Sequence, residues 1–589
     1  MTSVGNATST APTVTLAGAL GEAIEASYRQ RLKKFVEDET SLPISLYSAE
    51  QKEANRRGDW YGEHAGKWLV AASRAAMRTG DQELANTVLQ VARFLADQQE
   101  ANGYLGTYAS DATCRFTNPG AKDVRSWDVW NHSYMILGLL EANALLPSEG
   151  FLSTAVRIAD LLIDTFNSDS LTSHGNHNGL SSTVLLDPIV SLYFVTKNQK
   201  YLTFANRIVD EIEKKPELRL IGRAIEGDDA AKLGTGKAYQ LIWTFLGIAK
   251  LFQATGEPRL LEATLAFHAN VWEHHLTLGG GPWGGIGGHA EVFNAKGFFS
   301  PQGFVETCSS MAWISLNRQL LELTGEGRFA EAIEVCVQNS ILGAIDENGA
   351  DWSYFIFPNG RRNSTYDWAC CKSSGALALE EAALSAYTID DGGLSINFFN
   401  PGRVTARTVK VSQSVIDSST EQTIEIGIDP EVADELDIKI RIPSWAVDPI
   451  LKVNGAECPT PIPGKYAPIQ RVWESGDRVT LSYAIKLRTH CAAHVALHHG
   501  QEVVREDYVA ATYGPYVLAT GLIDGFKRQE TLHAPQLFPE TLYEKVAVDP
   551  PAFEMRPPGR KPILFVPYNQ AGGRTDGKWR LTWMQVAWQ

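Results

Sequence analysis

The chain is 589 residues long, and 68 acidic against 53 basic side chains leave a net charge of −15. No basic stripe interrupts that acidity, which excludes a nucleic-acid partner, because phosphate binding needs clustered Lys and Arg. With 44% hydrophobic and 21% charged residues the composition is globular, and at ~150 residues per domain the length asks for several domains.

The first 23 residues lack a basic segment followed by a long apolar run, and no apolar stretch reaches the ~20 residues of a membrane span. A soluble chain with no cleaved signal and no membrane partner is expected. The cysteines number seven, few and odd, which argues against a disulfide framework and for a reducing, cytoplasmic compartment. The 15 Trp and 19 Tyr suit a protein that stacks flat apolar faces against sugar rings.

From about residue 17 to 388, apolar residues recur at helical spacing, as in Leu84, Val88, Val91, Ala92 and Leu95, and roughly a dozen helices fit there. A short turn recurs between them: Thr79-Gly80-Asp81, Thr255-Gly256-Glu257 and Thr324-Gly325-Glu326. Glycine suits the left-handed residue after a helix, and the acid suits the start of the next one. The repeated unit is a helical hairpin. A hairpin cannot bury both faces alone, so about six of them closing on themselves make an (α/α)6 toroid, expected over residues 1–390. The loops rich in Gly, His and aromatics, at 59–64, 103–108, 173–177 and 278–291, are candidates to line its pocket.

After about residue 391 the period alternates, and 408–414, 422–428, 436–442, 478–487 and 508–520 read as strands. Residues 391–589 are therefore expected to form one or two β-sandwiches, with the tail from Trp579 supplying edge strands.

The densest chemical signal is Glu306-Thr307-Cys308 followed some sixty residues later by Cys370-Cys371. One carboxylate and three thiols can close a tetrahedral zinc site. Buried free cysteines and a vicinal disulfide are the competing readings. Adjacent cysteines cannot share one face of a helix or strand, so a turn is expected at 370–371. His132 opens an apolar helix and is either a pocket residue or a buried histidine satisfied by a carbonyl. Asp128, Trp68 and Tyr366 are further pocket candidates. His289 is either a substrate ligand or a turn residue, and the competing reading of Glu291 is a solvated loop carboxylate.

The order GHAE (288–291), VETC (305–308), WACC (368–371), then RIPSW (441–445), VNG (453–455) and YGPYVLA (513–519) resembles glycoside hydrolase family 127, which includes β-L-arabinofuranosidases. GEHAGKWL (62–69), GYLGTY (103–108) and WDVWNH (127–132) extend the resemblance over nearly the whole chain. It implies a retaining exo-glycoside hydrolase acting on a terminal L-arabinofuranose-like sugar of an oligosaccharide or glycoconjugate. The implied zinc ligands are Glu306, Cys308, Cys370 and Cys371, with Cys370 as nucleophile and Glu291 as acid and then base. A homodimer is a candidate assembly. The chain departs from the family at Gly236-Lys237-Ala238-Tyr239-Gln240, where arabinofuranosidases carry a GHAVR-like segment, so Lys237 replaces an expected pocket histidine. Leu276 or Thr277 stands where an aromatic precedes the glycine-rich turn. Lys237 can pair with a substrate carboxylate or with a protein one. Two other classes compete: a polysaccharide lyase, which needs no thiol, and a non-catalytic carbohydrate-binding protein whose four-ligand zinc is structural.

Overall fold

In a computed structural model, residues 13–118, 125–284, 291–362, 365, 368–390, 393–406, 408–418, 420–498, 501–521, 531–534, 542–557, 559–572 and 579–588 are described. Among them are twelve helices of ten or more residues: α1 (Gly18–Ser27), α2 (Glu63–Thr79), α3 (Gln82–Asp97), α4 (Asp128–Leu145), α5 (Phe151–Thr165), α6 (Leu186–Thr196), α7 (Gln199–Lys214), α8 (Ala238–Thr255), α9 (Pro258–His274), α10 (Thr307–Thr324), α11 (Gly327–Cys336) and α12 (Cys370–Ser385). None is long and apolar enough to cross a membrane.

The helices alternate in character. Odd-numbered ones bury a single stripe, such as Leu84, Val88, Val91 and Leu95 of α3 or Tyr201, Ala205, Ile208 and Ile212 of α7, as expected of an outer layer. Of the even-numbered ones, α2, α4, α8, α10 and α12 are buried nearly all round, polar positions included. Contacts run α2 to α4, α6, α8, α10, α12 and back to α2, so the inner six close a ring, and each outer helix packs on an inner one. This is the (α/α)6 toroid. Closure depends on close crossings: a Cβ on Gly66 of α2 would lie 2.4 Å from the Tyr134 backbone of α4. The recurring turns cap helices as their glycines require, with φ of 71° at Gly80, 72° at Gly256 and 66° at Gly325.

Because the hairpins repeat, all six inner helices run in one direction and their N-termini gather at one end of the ring. Glu63, Lys237, Glu306 and Cys370 stand at or beside such N-termini, and all four line one pocket.

The β region begins at Tyr387–Asp390. This strand, Gly393–Ile396, Asp434–Arg441 and Tyr466–Trp473 form a four-stranded sheet. It faces a seven-stranded sheet across an apolar layer that includes Ile424, Ile426, Ile438, Ile440 and Trp473. A further sheet is built on Leu487–His498, Gln501–Tyr513 and the tail strand Met584–Trp588. Two pairings cross the expected division of the chain. Strand Thr13–Leu16, expected with the toroid, pairs antiparallel with Gly402–Ala406, so these residues belong to the seven-stranded sheet. Conversely Trp579–Leu581 pairs with Asn359–Arg361 beside the pocket end of the ring. Arg441 of RIPSW docks the two regions. It is fully buried, donates from Nε to Asn397 O at 2.6 Å, and forms an ion pair with Glu334 of α11.

Candidate active site

The pocket at the N-terminal end of the inner ring has a volume of about 230 Å³. Trp60, Trp127 and Trp130 give it aromatic walls, and Glu63, Lys237, Glu291, Glu306, Tyr354 and Cys370 give it charge and nucleophiles. Glu306 ends the short strand Val305–Glu306 and caps α10, Cys308 lies in the first turn of α10, and Cys370 and Cys371 open α12. The turn expected at the cysteine pair is instead the first turn of a helix. Adjacent positions there diverge by a helical step, yet both thiols still reach Cys308, which comes from the neighbouring N-terminus. Cys308 Sγ lies 3.3 Å from Cys370 Sγ and 3.2 Å from Cys371 Sγ. All seven cysteines are free, so the vicinal disulfide does not form.

Ligand atoms of Glu306, Cys308, Cys370 and Cys371 all lie within 4.8 Å of one another. Thiolates with one carboxylate, shielded from water and gathered at two helix N-termini, are a donor set that a borderline-soft divalent ion fits. Electrostatics favour one thiol. Hydrogen bonds from Cys308 and Cys371, with Lys67 nearby, hold Cys370 well below the usual thiol range despite its burial. Burial pushes Cys308 and Cys371 up, and burial also raises Glu306 against the opposing charge of Lys237.

Behind the cluster lies a cation that sequence reasoning missed. Lys67 has a fully buried ammonium, 3.0 Å from Glu63 Oε2 and 3.0 Å from Ser374 Oγ, and Cys308 Sγ lies 3.2 Å from the same Ser374 oxygen. A charge so buried persists only when paired. Burial pushes Glu63 up to about 7, with Lys67 opposing it. His64 is held neutral, lowered by burial to about 3, and anchors Ser373 of α12 through a 2.8 Å hydrogen bond.

The Tyr354 hydroxyl joins the two groups singled out for chemistry. Its oxygen lies 3.5 Å from Cys370 Sγ, and it donates to Glu291 Oε1. Lys237 forms an ion pair with the same Glu291 carboxylate, so the protein supplies the acidic partner of Lys237. The segment carrying Lys237 is bridged to that of Glu291 by Ala238 N to Glu291 O, 3.1 Å, and Phe293 N to Gly236 O, 2.8 Å. Glu291 is thus a pocket carboxylate and not a solvated loop residue.

Two expected substrate contacts fall elsewhere. His132 is fully buried off the pocket, its Nδ1 2.7 Å from Asp128 O and its Nε2 accepting from Leu105 N at 3.2 Å. Asp128 accepts from Tyr104 Oη at 2.9 Å and Phe116 N at 3.0 Å. Both brace the loop from Tyr104 to Phe116; a polar residue at an inner helix start can face pocket or core, and spacing does not separate the two. Trp68 likewise lies in the core and donates to Leu32 O at 2.9 Å. His289 and Tyr366 lie outside the described residues. Glu63, Tyr354, Gln240 and His177 line the pocket without having been singled out. Glu63 and His177 fall in loops already marked by their Gly, His and aromatic content, which was the available signal.

Residues 19–383 match the profile of the β-L-arabinofuranosidase GH127 catalytic domain, and residues 393–485 that of the GH127 middle domain. Over 510 residues the chain is 23% identical to the non-reducing end β-L-arabinofuranosidase of Bifidobacterium longum subsp. longum, covering 78% of this chain and 75% of that protein. Its fold matches the crystal structure of a GH127 β-L-arabinofuranosidase from Geobacillus stearothermophilus T6 at a TM-score of 0.77 and 19% identity, over 98% of this chain and 100% of that one. Another GH127 β-arabinofuranosidase matches at a TM-score of 0.77 and 16% identity, over 98% and 97% of the two chains. A helical ring with an acidic, aromatic-walled pocket and these profiles make the protein a glycoside hydrolase acting on carbohydrate, and not a lyase or a non-catalytic binder. Within that class, the chain belongs to glycoside hydrolase family 127.

Proposed function

We propose that this protein is a retaining exo-glycosidase that removes a terminal L-arabinofuranose-like residue, with Cys370 as nucleophile and Glu291 as acid and then base. The observation that carries the reading is the Tyr354 hydroxyl, in contact with both Cys370 Sγ and Glu291. A retaining displacement needs its two groups to flank one glycosidic bond, ~5 Å apart for two carboxylates and looser for sulfur. Support for the sugar comes from the activity of the Bifidobacterium relative.

Glu306, Cys308, Cys370 and Cys371 would hold a zinc ion, which when bound keeps coordinated thiols deprotonated at neutral pH. Cys370 Sγ forms a bond to the anomeric carbon as the bond from that carbon to the leaving oxygen breaks, and Glu291 delivers its proton to that oxygen. Glu291 then takes a proton from water, whose oxygen displaces the sulfur and restores the original anomeric configuration. Lys67, through Ser374, supplies fixed positive charge to the thiol cluster, and Trp60, Trp127 and Trp130 offer apolar faces to the ring.

The test is release of p-nitrophenol from a panel of pentosides, deoxysugars and uronides, with zinc measured on the same sample. The expected result is selective turnover of the β-L-arabinofuranoside, with a β-configured product seen first by NMR. A profile peaking on another sugar class would overturn the substrate, and an α-configured first product would overturn the mechanism.

A further inference from the structure

Three polar groups in the pocket wall have no hydrogen-bond partner among the described residues: Glu63 Oε1, both amide atoms of Gln240, and Trp127 Nε1. Glu63 is only 1% exposed and Gln240 0%. Buried polar atoms in folded proteins are nearly always paired, so several unmade bonds on the wall that also carries Cys370 and Glu291 mark where a ligand supplies the partners. Glu63 cannot turn away to find one. Its Oε2 is held by Lys67 and by the Trp130 indole N–H, which leaves Oε1 as a fixed acceptor. Gln240, in the first turn of α8, offers one donating and one accepting atom, and Trp127 a donor.

We propose that Glu63 and Gln240 read the hydroxyl groups of the sugar bound in front of Cys370. Glu63 Oε1 accepts from one hydroxyl, Gln240 donates to and accepts from a second, and Trp127 Nε1 donates to an oxygen of the same ring. The proposal rests on the pocket being a sugar site, and it adds the chemistry recognised there: a ring face of neutral hydroxyls. A hydroxyl both donates and accepts, as this set demands. A carboxylate on that face would be acceptor-only and could not donate to Glu63 Oε1 or to the accepting atom of Gln240.

A site built on buried polar groups rejects an analogue lacking the matching hydroxyl by large factors. The two residues also differ in their structural stake. Gln240 makes no side-chain hydrogen bond among the described residues, so Gln240→Leu removes none of these and should leave the melting temperature unchanged or raised. Glu63→Gln unpairs buried Lys67 and can destabilise the fold, so Gln240→Leu carries the decisive arm.

The experiment measures kcat/KM on p-nitrophenyl β-L-arabinofuranoside and its 2-, 3- and 5-deoxy forms for wild type, Gln240→Leu and Glu63→Gln. In parallel, quenching of tryptophan fluorescence reports binding of methyl β-L-arabinofuranoside and the same deoxy forms, independently of turnover. Wild type is expected to lose on the order of 10²-fold on at least one deoxy sugar. Gln240→Leu should lose about tenfold on the full sugar and little more on one particular deoxy form, without losing thermal stability. Gln240→Leu with wild-type kcat/KM, or with the wild-type pattern of deoxy penalties, would overturn the proposal. Hydrolysis with a flat deoxy series would overturn it and leave the glycosidase reading intact. The deoxy pattern in binding without any turnover would do the reverse, and neither binding nor turnover would overturn both.

Discussion

Lys237 and Glu291 are joined by an ion pair between their side chains, and the backbone hydrogen bond from Ala238 N to Glu291 O ties together the segments that carry them. The pair sits where the family resemblance expects a histidine, and it gives the proposed acid a fixed cationic neighbour.

A neighbouring ammonium favours the ionised form of a carboxylate. Removing it with Lys237→Met makes Glu291 easier to protonate, so the alkaline limb of kcat/KM, where the acid is lost, should move up by about one pH unit. A limb that stays in place or moves down would separate Lys237 from the acid.

The division of labour between Cys370 and Glu291 is tested by leaving groups. An activated aryl leaving group needs little protonation, so Glu291→Gln should lose most activity on an alkyl glycoside and far less on a dinitrophenyl glycoside. Cys370→Ser should lose both. Equal losses for Glu291→Gln on the two substrates would remove it from the role of acid, and a covalent adduct mapped to another residue would replace Cys370.

The cluster of three thiols and Glu306 is expected to bind about one zinc per chain. Chelation should abolish turnover and lower the melting temperature, and zinc should restore both, because ligation stabilises only the folded arrangement. Cys308→Ser, which alters a proposed ligand other than the proposed nucleophile, should lower zinc content by elemental analysis. Full activity in a protein shown to be metal-free would refute the assignment.

His268 lies buried in the ring wall, stacked on Trp313 at 4.5 Å and bonded through Nε2 to Asn317 at 2.9 Å, and burial lowers it to about 3. The unfolded chain takes up a proton near pH 6.5 and the folded one does not, so this group's stability is complete above pH 6.5 and is lost as pH falls toward 3. The destabilisation caused by His268→Gln should therefore shrink by ~1.4 kcal/mol per pH unit between pH 6 and 4.5. Urea melts across that range check it; a difference independent of pH would show that His268 is charged in the fold.

Arg441 carries the junction of toroid and β region. Arg441→Met leaves Glu334, buried at 7% exposure, without its partner, at a cost of ~3–5 kcal/mol. Adding Glu334→Gln should recover part of it, since a neutral amide is cheaper to bury. No recovery in the double variant would mean that Arg441 acts mainly through Asn397 O.

What the sequence determined by itself is what depends on local periodicity and on rare residue types. Helical spacing and the Thr-Gly-acid turns set out the hairpins, because glycine is the residue that enters the left-handed region without strain. Strand alternation marked the change of architecture, and Glu306, Cys308, Cys370 and Cys371 stood out because thiols are scarce in this chain. Only the tertiary structure decided which polar residues of the inner helices face the pocket. Those helices are buried on every side, so they carry no amphipathic stripe to separate Glu63, Lys67 and Gln240, at the site, from His132 and Asp128, which brace a loop. The pairing of Thr13–Leu16 with Gly402–Ala406 was hidden for a related reason. Strand partners nearly four hundred residues apart are chosen by ring closure, which brings the first helix against the last, and no local pattern records that meeting.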